Sequence, residues 1–302
     1  MAETETLSGA ATRCGFAAII GAPNAGKSTL VNKLVGAKIS IVSHKVQTTR
    51  ARIRAIYMNG NTQVVLVDTP GIFKPRRKLD EAMVESAWTG AGEADAIVLI
   101  ADARRGLDEE VQAIIAGFKS QSARPILVLN KVDLLPAEKL LPLAQQFSEA
   151  HDFSETFMVS ALTGSGVAKL GERLASLMPA GPWLYPEDQT ADVHLRFIAS
   201  EITREKIYER LHDELPYAST VETEAWEEHA NGSVKISQTI FVERDTQKAI
   251  VLGKGGAQIK LLGQLARAEM EESFGRRVHL FLFVKVRENW AQDPERLRMM
   301  GL

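Results

Sequence analysis

Eight residues constrain this chain more than any other stretch: Gly21-Ala22-Pro23-Asn24-Ala25-Gly26-Lys27-Ser28, with the spacing G-x-x-x-x-G-K-S. They follow an apolar run, Phe16–Ile20, and open a stretch of helical periodicity, Lys27–Val35. Strand, glycine-rich turn and helix in that order make an anion cradle. Backbone N–H groups of the loop and the positive end of the helix dipole converge on a β-phosphate. Lys27 is placed to bridge β- and γ-phosphate oxygens, and the Ser28 hydroxyl to bind Mg2+.

The first 180 residues alternate short apolar runs with amphipathic stretches. Val64–Val67, Ala96–Ala101, Pro125–Leu129 and Thr156–Val159 join Phe16–Ile20 as buried strands. Helical patterns lie near Leu79–Trp88, Asp108–Phe118, Ala137–Ala150 and Gly166–Leu177. Asn59-Gly60-Asn61 turns Ile53–Tyr57 back onto Thr62–Val67 as a hairpin. This pattern predicts an α/β fold with a mostly parallel sheet and one antiparallel strand.

Three further segments assign roles around the cradle. Asp68-Thr69-Pro70-Gly71 ends an apolar strand, so Asp68 can hold the Mg2+ shell and the Gly71 N–H can sense a γ-phosphate. Asn130-Lys131-Val132-Asp133 selects the base. The Asp133 carboxylate accepts from N1–H and N2–H2 of guanine, whereas adenine would leave it unpaired. Asn130 is expected to tie this loop to the phosphate loop, Lys131 to lie along the base, and a Ser160-Ala161 N–H to meet guanine O6. In the loop Ser40–Ala51, Gln47-Thr48-Thr49-Arg50 offers a hydroxyl that completes Mg2+ coordination and lets go on hydrolysis; Thr49 is chosen over Thr48. Lys27, Thr49 and Gly71 are the expected catalytic set. Small GTPases often place a water-positioning glutamine directly after D-x-x-G, and here that residue is Ile72. Hydrolysis is then slow, or another group does the work. Asn24 is a candidate for helping to bind a monovalent cation such as K+ between the phosphates.

Prolines 179, 182 and 186 with Gly181 mark a linker, and the chain continues as a second, α+β unit. A helix at His194–Glu214, strands at Ser219–Trp226, Val234–Glu243 and Arg277–Val286, and a helix at Ala257–Phe274 are expected there. Gly253-Lys254-Gly255-Gly256 lies between a strand-like run, Ala249–Leu252, and that last helix. A G-x-x-G loop admits nucleic-acid phosphates to bare backbone, with Lys254 and Lys260 adding charge. Phe241, Phe281 and Phe283 alternate along strands and read as core rather than as base-stacking platforms; Glu201–Ala230 reads as a solvated face whose acidity can also keep RNA to one side. The expected division is an extension over 1–14, a nucleotide domain over 15–178, a linker over 179–192, an RNA-binding unit over 193–290 and a tail over 291–302.

Composition limits the alternatives. At 302 residues, 45% hydrophobic and 25% charged, the chain has material for two cores. One cysteine and six histidines give no zinc spacing. No apolar run is long enough to span a bilayer, and the N-terminus lacks the apolar stretch of a secretory signal. The net charge of −2 argues against nucleic acid only as an average. Residues 201–230 carry 9 acids and 3 bases, whereas 244–287 carry 9 bases and 4 acids.

The order of these motifs resembles the Era family of bacterial GTPases from about Phe16 to Leu302. The carriers are Gly21–Ser28, Gln47–Arg50, Asp68–Gly71, Asn130–Asp133, Ser160–Ala161, Arg196–Ile202, Glu214–Tyr217 and Gly253–Gly256. The resemblance implies a P-loop GTPase domain fused to a KH domain of prokaryotic type. It implies binding of GTP/GDP with Mg2+ and slow GTP hydrolysis. It further implies binding to 16S ribosomal RNA and a role in maturing the 30S ribosomal subunit. A cytoplasmic monomer, peripherally associated with the inner membrane and with no DNA partner, is the accompanying expectation. Ile72 matches the family's hydrophobic residue at the glutamine position, and Ala25 replaces a usually bulkier one. The alternatives are an RNA-binding assembly factor that holds GTP only as a ligand, and a P-loop ATPase or kinase, against which Asp133 speaks.

Overall fold

A computed structural model describes residues 11–43, 45, 48–293 and 302. Gln47 and parts of the expected extension and tail lie outside the described residues. Six strands form the first sheet in the order β2-β3-β1-β4-β5-β6. They are β1 (Arg13–Ile20), β2 (Ile53–Asn59), β3 (Thr62–Asp68), β4 (Ala96–Asp102), β5 (Ile126–Asn130) and β6 (Glu155–Met158). Only the β2–β3 hairpin is antiparallel. Every residue of β3 and β5 is buried, as strands covered on both faces require. One apolar layer joins the sheet to α1 (Lys27–Val35) and α5 (Val167–Leu177). The other joins it to α2 (Lys78–Gly92), α3 (Glu109–Ser120) and α4 (Leu140–Ala150).

This arrangement brings the ends of four strands to one edge. The phosphate loop leaves β1, while Asp68, Asp102 and Asn130 are the last residues of β3, β4 and β5. That is the edge at which parallel α/β sheets bind ligands. The proline-rich stretch is laid along β2: Ile56 N–H donates to Thr190 O and Asp192 N–H to Arg54 O, each at 2.9 Å.

The second unit has the order α6 (Leu195–Arg210), β7 (Ser219–Glu228), β8 (Val234–Val242), α7 (Asp245–Leu252), α8 (Ala257–Phe274) and β9 (Val278–Val286). Its sheet runs β7-β8-β9, with β8 parallel to β9. Four expectations are corrected here. Helix α6 stops at Arg210 rather than Glu214, because the backbone is already extended at Leu211 (φ −104°, ψ 155°), before the turn through Asp213 to Pro216. Ala249–Leu252 is the end of helix α7, not a strand. Gln247 starts that helix by accepting from the N–H groups of Glu243 and Arg244, and a four-residue apolar run does not distinguish the two states. Phe281 and Phe283 are 48% and 51% exposed, while Phe241 is buried. Finally, the acidic 201–230 stretch is not uniformly solvated, since Arg204 and Glu205 are each 2% exposed.

Candidate functional site

The phosphate loop meets its expected surroundings. Gly26 takes φ 100°, and a Cβ there would lie 2.2 Å from Asn130 Nδ2, so the loop can close on β5 only with glycine at this point. Lys27 is buried, and its ammonium donates to the carbonyls of Gly21 (3.0 Å) and Ala22 (2.9 Å). Burial lowers its pKa from 10.5 to about 8, opposed by Asp68. A polyphosphate arriving here would add negative charge beside the buried ammonium, beyond that of Asp68. Asn24 is exposed at the loop tip with φ 62°. Pro23, Gly26, Ser28, Thr49 and Gly71 line the cleft in front of Lys27.

Beside the lysine, three oxygens converge. Ser28 Oγ donates to Asp68 Oδ2 and lies against Thr49 Oγ1, both at 2.8 Å. Asp68 is fully buried, its Oδ1 accepts no hydrogen bond of normal geometry, and burial raises its pKa against the pull of the Ser40 and Ser28 hydroxyls and of Lys27. A buried carboxylate with an unpaired oxygen and two hydroxyls beside it is the hard-oxygen donor set that a magnesium ion takes. Thr48 faces elsewhere, with its hydroxyl on Lys45 O. Thr69 is fully buried and donates to Ile19 O, while Pro70 is buried beside it. Ile72 is packed in the core under α3, with no polar atom on its side chain to hold water.

At the base end, Asn130 joins three segments. Its Nδ2 donates to Ala25 O (2.8 Å), and its Oδ1 accepts from Ala161 N–H (2.9 Å). The Ser160 N–H donates to Ser165 O. The N–H groups of the Ser160-Ala161 pair, one of which is expected at guanine O6, therefore brace the base loop in this structure. Lys131 takes φ 65° and its ammonium contacts Asn24 O (2.6 Å) and Asp102 Oδ2 (2.7 Å). Asp133 is exposed in the short helical turn Val132–Leu134. Asp102 was not among the sequence candidates. Burial would raise its pKa, but hydrogen bonds from Lys131 and Arg104 hold it below the usual carboxylate range. Its register beside Asn130 at the end of a buried strand was the available signal.

The loop after α1 reaches the second unit. Lys38 pairs with Glu205 (2.6 Å) and Glu269, and Val42 N–H donates to Glu205 Oε1 (2.8 Å). Arg50, buried directly after Thr49, donates to Ser219 O (2.8 Å), Pro216 O (3.2 Å) and Tyr208 Oη (3.1 Å). Its guanidinium also lies over the Trp290 ring at 5.4 Å. Arg204 returns the contact by donating to Thr48 O. The segment that carries Thr49 is thus fastened on both sides.

In the second unit, Gly253, Gly255 and Gly256 take φ 71°, 60° and 78° between α7 and α8. Lys254 and Lys260 are exposed beside them and, among the described residues, form no ion pair. Bare left-handed backbone with flanking ammonium groups is suited to phosphate oxygens.

Fold and site together define a P-loop GTPase domain followed by a KH domain. Residues 16–131 match the family model described as a 50S ribosome-binding GTPase, and residues 214–291 match the KH domain model. The chain belongs to the Era family of GTPases. It is 63% identical over 291 residues to GTPase Era of Afipia carboxidovorans, covering 96% of this chain and 94% of that protein. GTPase Era of Brucella suis is 60% identical with the same coverage. The crystal structure of Era with MgGDPNP and nucleotides 1506–1542 of 16S ribosomal RNA superposes with a TM-score of 0.91 at 36% identity, covering 96% of this chain and 99% of that one. A single-residue variant of Aquifex aeolicus Era, bound to GDP·AlF4−, gives the same values.

Proposed function

We propose that this GTPase is a switch whose nucleotide state governs its grip on the 3′ region of 16S ribosomal RNA during maturation of the 30S subunit. The observation that carries the proposal is the loop 38–50: Thr49 faces Ser28 at the nucleotide end, and Arg50 is held by the KH domain. Asp133 would read guanine, with Lys131 along the base. Lys27, Ser28 and the Gly71 N–H would meet the phosphates, and Ser28, Asp68 and Thr49 would hold Mg2+. That ion, when bound, offsets charge on the β- and γ-phosphates. With Ile72 in place of a glutamine, no side chain after D-x-x-G aligns the attacking water, which supports slow intrinsic hydrolysis with K+ assisted through Asn24. The Gly253–Gly256 loop with Lys254 and Lys260 would hold RNA backbone. Family resemblance supports a cytoplasmic monomer with peripheral inner-membrane association. Among the described residues, no helix is long and apolar enough to cross a membrane.

The test is capture of the RNA of nucleotides 1506–1542 by the protein loaded with GDP or with a non-hydrolysable GTP analogue. Affinity is expected to differ between the two states. Equal binding in both would overturn the switch, and absence of binding in both would overturn the RNA assignment.

A further inference from the structure

Successive residues of β9 point to opposite faces of the sheet. Leu280, Leu282, Val284 and Val286 pack on the helices, whereas Phe281 and Phe283 stand on the other face, half exposed. Their partners on β8 are Ser237 and Thr239, which are too small to cover the rings. Two aromatic rings two residues apart on the open face of a strand are a base-stacking platform, because every base has a π-face and the spacing demands no particular sequence.

What covers such a platform is indicated by the charge around it. Lys254, Lys260, Arg267 and Arg277 are exposed, and none forms an ion pair among the described residues. They run from the G-x-x-G loop along α8 to the residue that precedes β9. Among the described residues β9 is an edge strand of its sheet, so a polymer can pass round it from the helical side. On the ring face itself Lys285, which follows Phe283 on β9, is paired with Glu224, and Lys235 on β8 is paired with Glu227, so the cations left free are those on the loop, on α8 and at the residue before β9. Free cations on the G-x-x-G loop, along α8 and at the residue before β9, together with two exposed rings on that same strand, favour a polyanion carrying flat bases over a protein partner.

We propose that Phe281 and Phe283 stack two unpaired bases of the RNA strand whose backbone is held at Gly253–Gly256. The inference rests on the RNA-binding reading above. The probe is the RNA of nucleotides 1506–1542, bound to the full-length protein. Wild type is expected to bind. F281A/F283A should bind about 5- to 150-fold more weakly for each base unstacked, with its salt dependence unchanged. Arg277→Ala and Lys260→Ala should instead flatten the salt dependence. F281L/F283L, apolar but without π-faces, should lose most of the same affinity, and F281Y/F283Y should retain it. An unfolding transition that includes the KH domain, unchanged from wild type by calorimetry, checks folding in all variants. Full RNA affinity in the alanine or leucine double variant overturns the platform, as does a double variant altered only in self-association. A wild-type protein that fails to bind the RNA overturns the RNA-binding reading itself.

Discussion

Lys27 and Asp133 show how much a single side chain settles here. Because burial lowers the Lys27 pKa to about 8, the unfolded chain binds the extra proton between pH 8 and 10.5, and nucleotide-free stability rises with pH across that window. Below pH 8 the cost of a buried ammonium is fully present, about 3 kcal/mol by linkage. Lys27→Met should therefore raise the melting temperature of the nucleotide-free protein at pH 7, with the advantage fading by pH 10, while GTP binding is lost. Melting curves at both pH values check this; an advantage independent of pH contradicts it. Asp133→Asn replaces an acceptor by a donor and should move preference from guanine to xanthine nucleotides by at least tenfold, measured by competition binding. Both side chains were legible in the sequence, since each lies in a motif whose chemistry is local. Asp102 was not legible, because its importance comes from a neighbouring strand.

Elements place these groups by meeting at one sheet edge. Gly26→Ala puts a Cβ 2.2 Å from Asn130 Nδ2 and requires an unfavourable φ. It should destabilise the protein by about 1–3 kcal/mol and separate the phosphate loop from the base loop. GTP affinity and denaturant midpoint measure it, and a variant with wild-type affinity would show that the contact is dispensable. The alternation of strands and helices was readable from hydrophobic period, and α1 and α8 begin and end where the sequence places them. Errors fell where the local signal is short. Ala249–Leu252 carries β-branched residues but is helical, because Gln247 caps the preceding turn and Val251 faces the core. Phe281 and Phe283 alternate as core residues do, yet among the described residues the helices pack on the opposite face of the sheet.

For the whole molecule, the decisive feature is the fastening of loop 38–50 to the KH domain. Arg50 is buried with its guanidinium on carbonyls of the 216–219 segment. Arg50→Ala strips those carbonyls of a donor and should cost about 3 kcal/mol, resolving calorimetric unfolding into separate transitions for the two domains. Lysine should not rescue it, because one ammonium cannot reproduce a planar fork of donors. A single unshifted transition would refute the coupling. The net charge of −2 resolves at this scale as well: many acids of 201–230 face cations of the same chain, such as Arg204, Lys38 and Lys235, while the cations along α8 stay free. The sequence by itself determined the phosphate loop, the choice of guanine, the two-domain order and the G-x-x-G loop, because each is written in residues adjacent along the chain. The tie from Asn130 to the phosphate loop is expected from sequence; only the tertiary structure decided that Asp102 holds Lys131, that Arg50 and Glu205 join the domains, and that two phenylalanines face outward. Those facts depend on which surfaces pack against which, and contacts between residues tens to more than a hundred positions apart leave no local pattern to read.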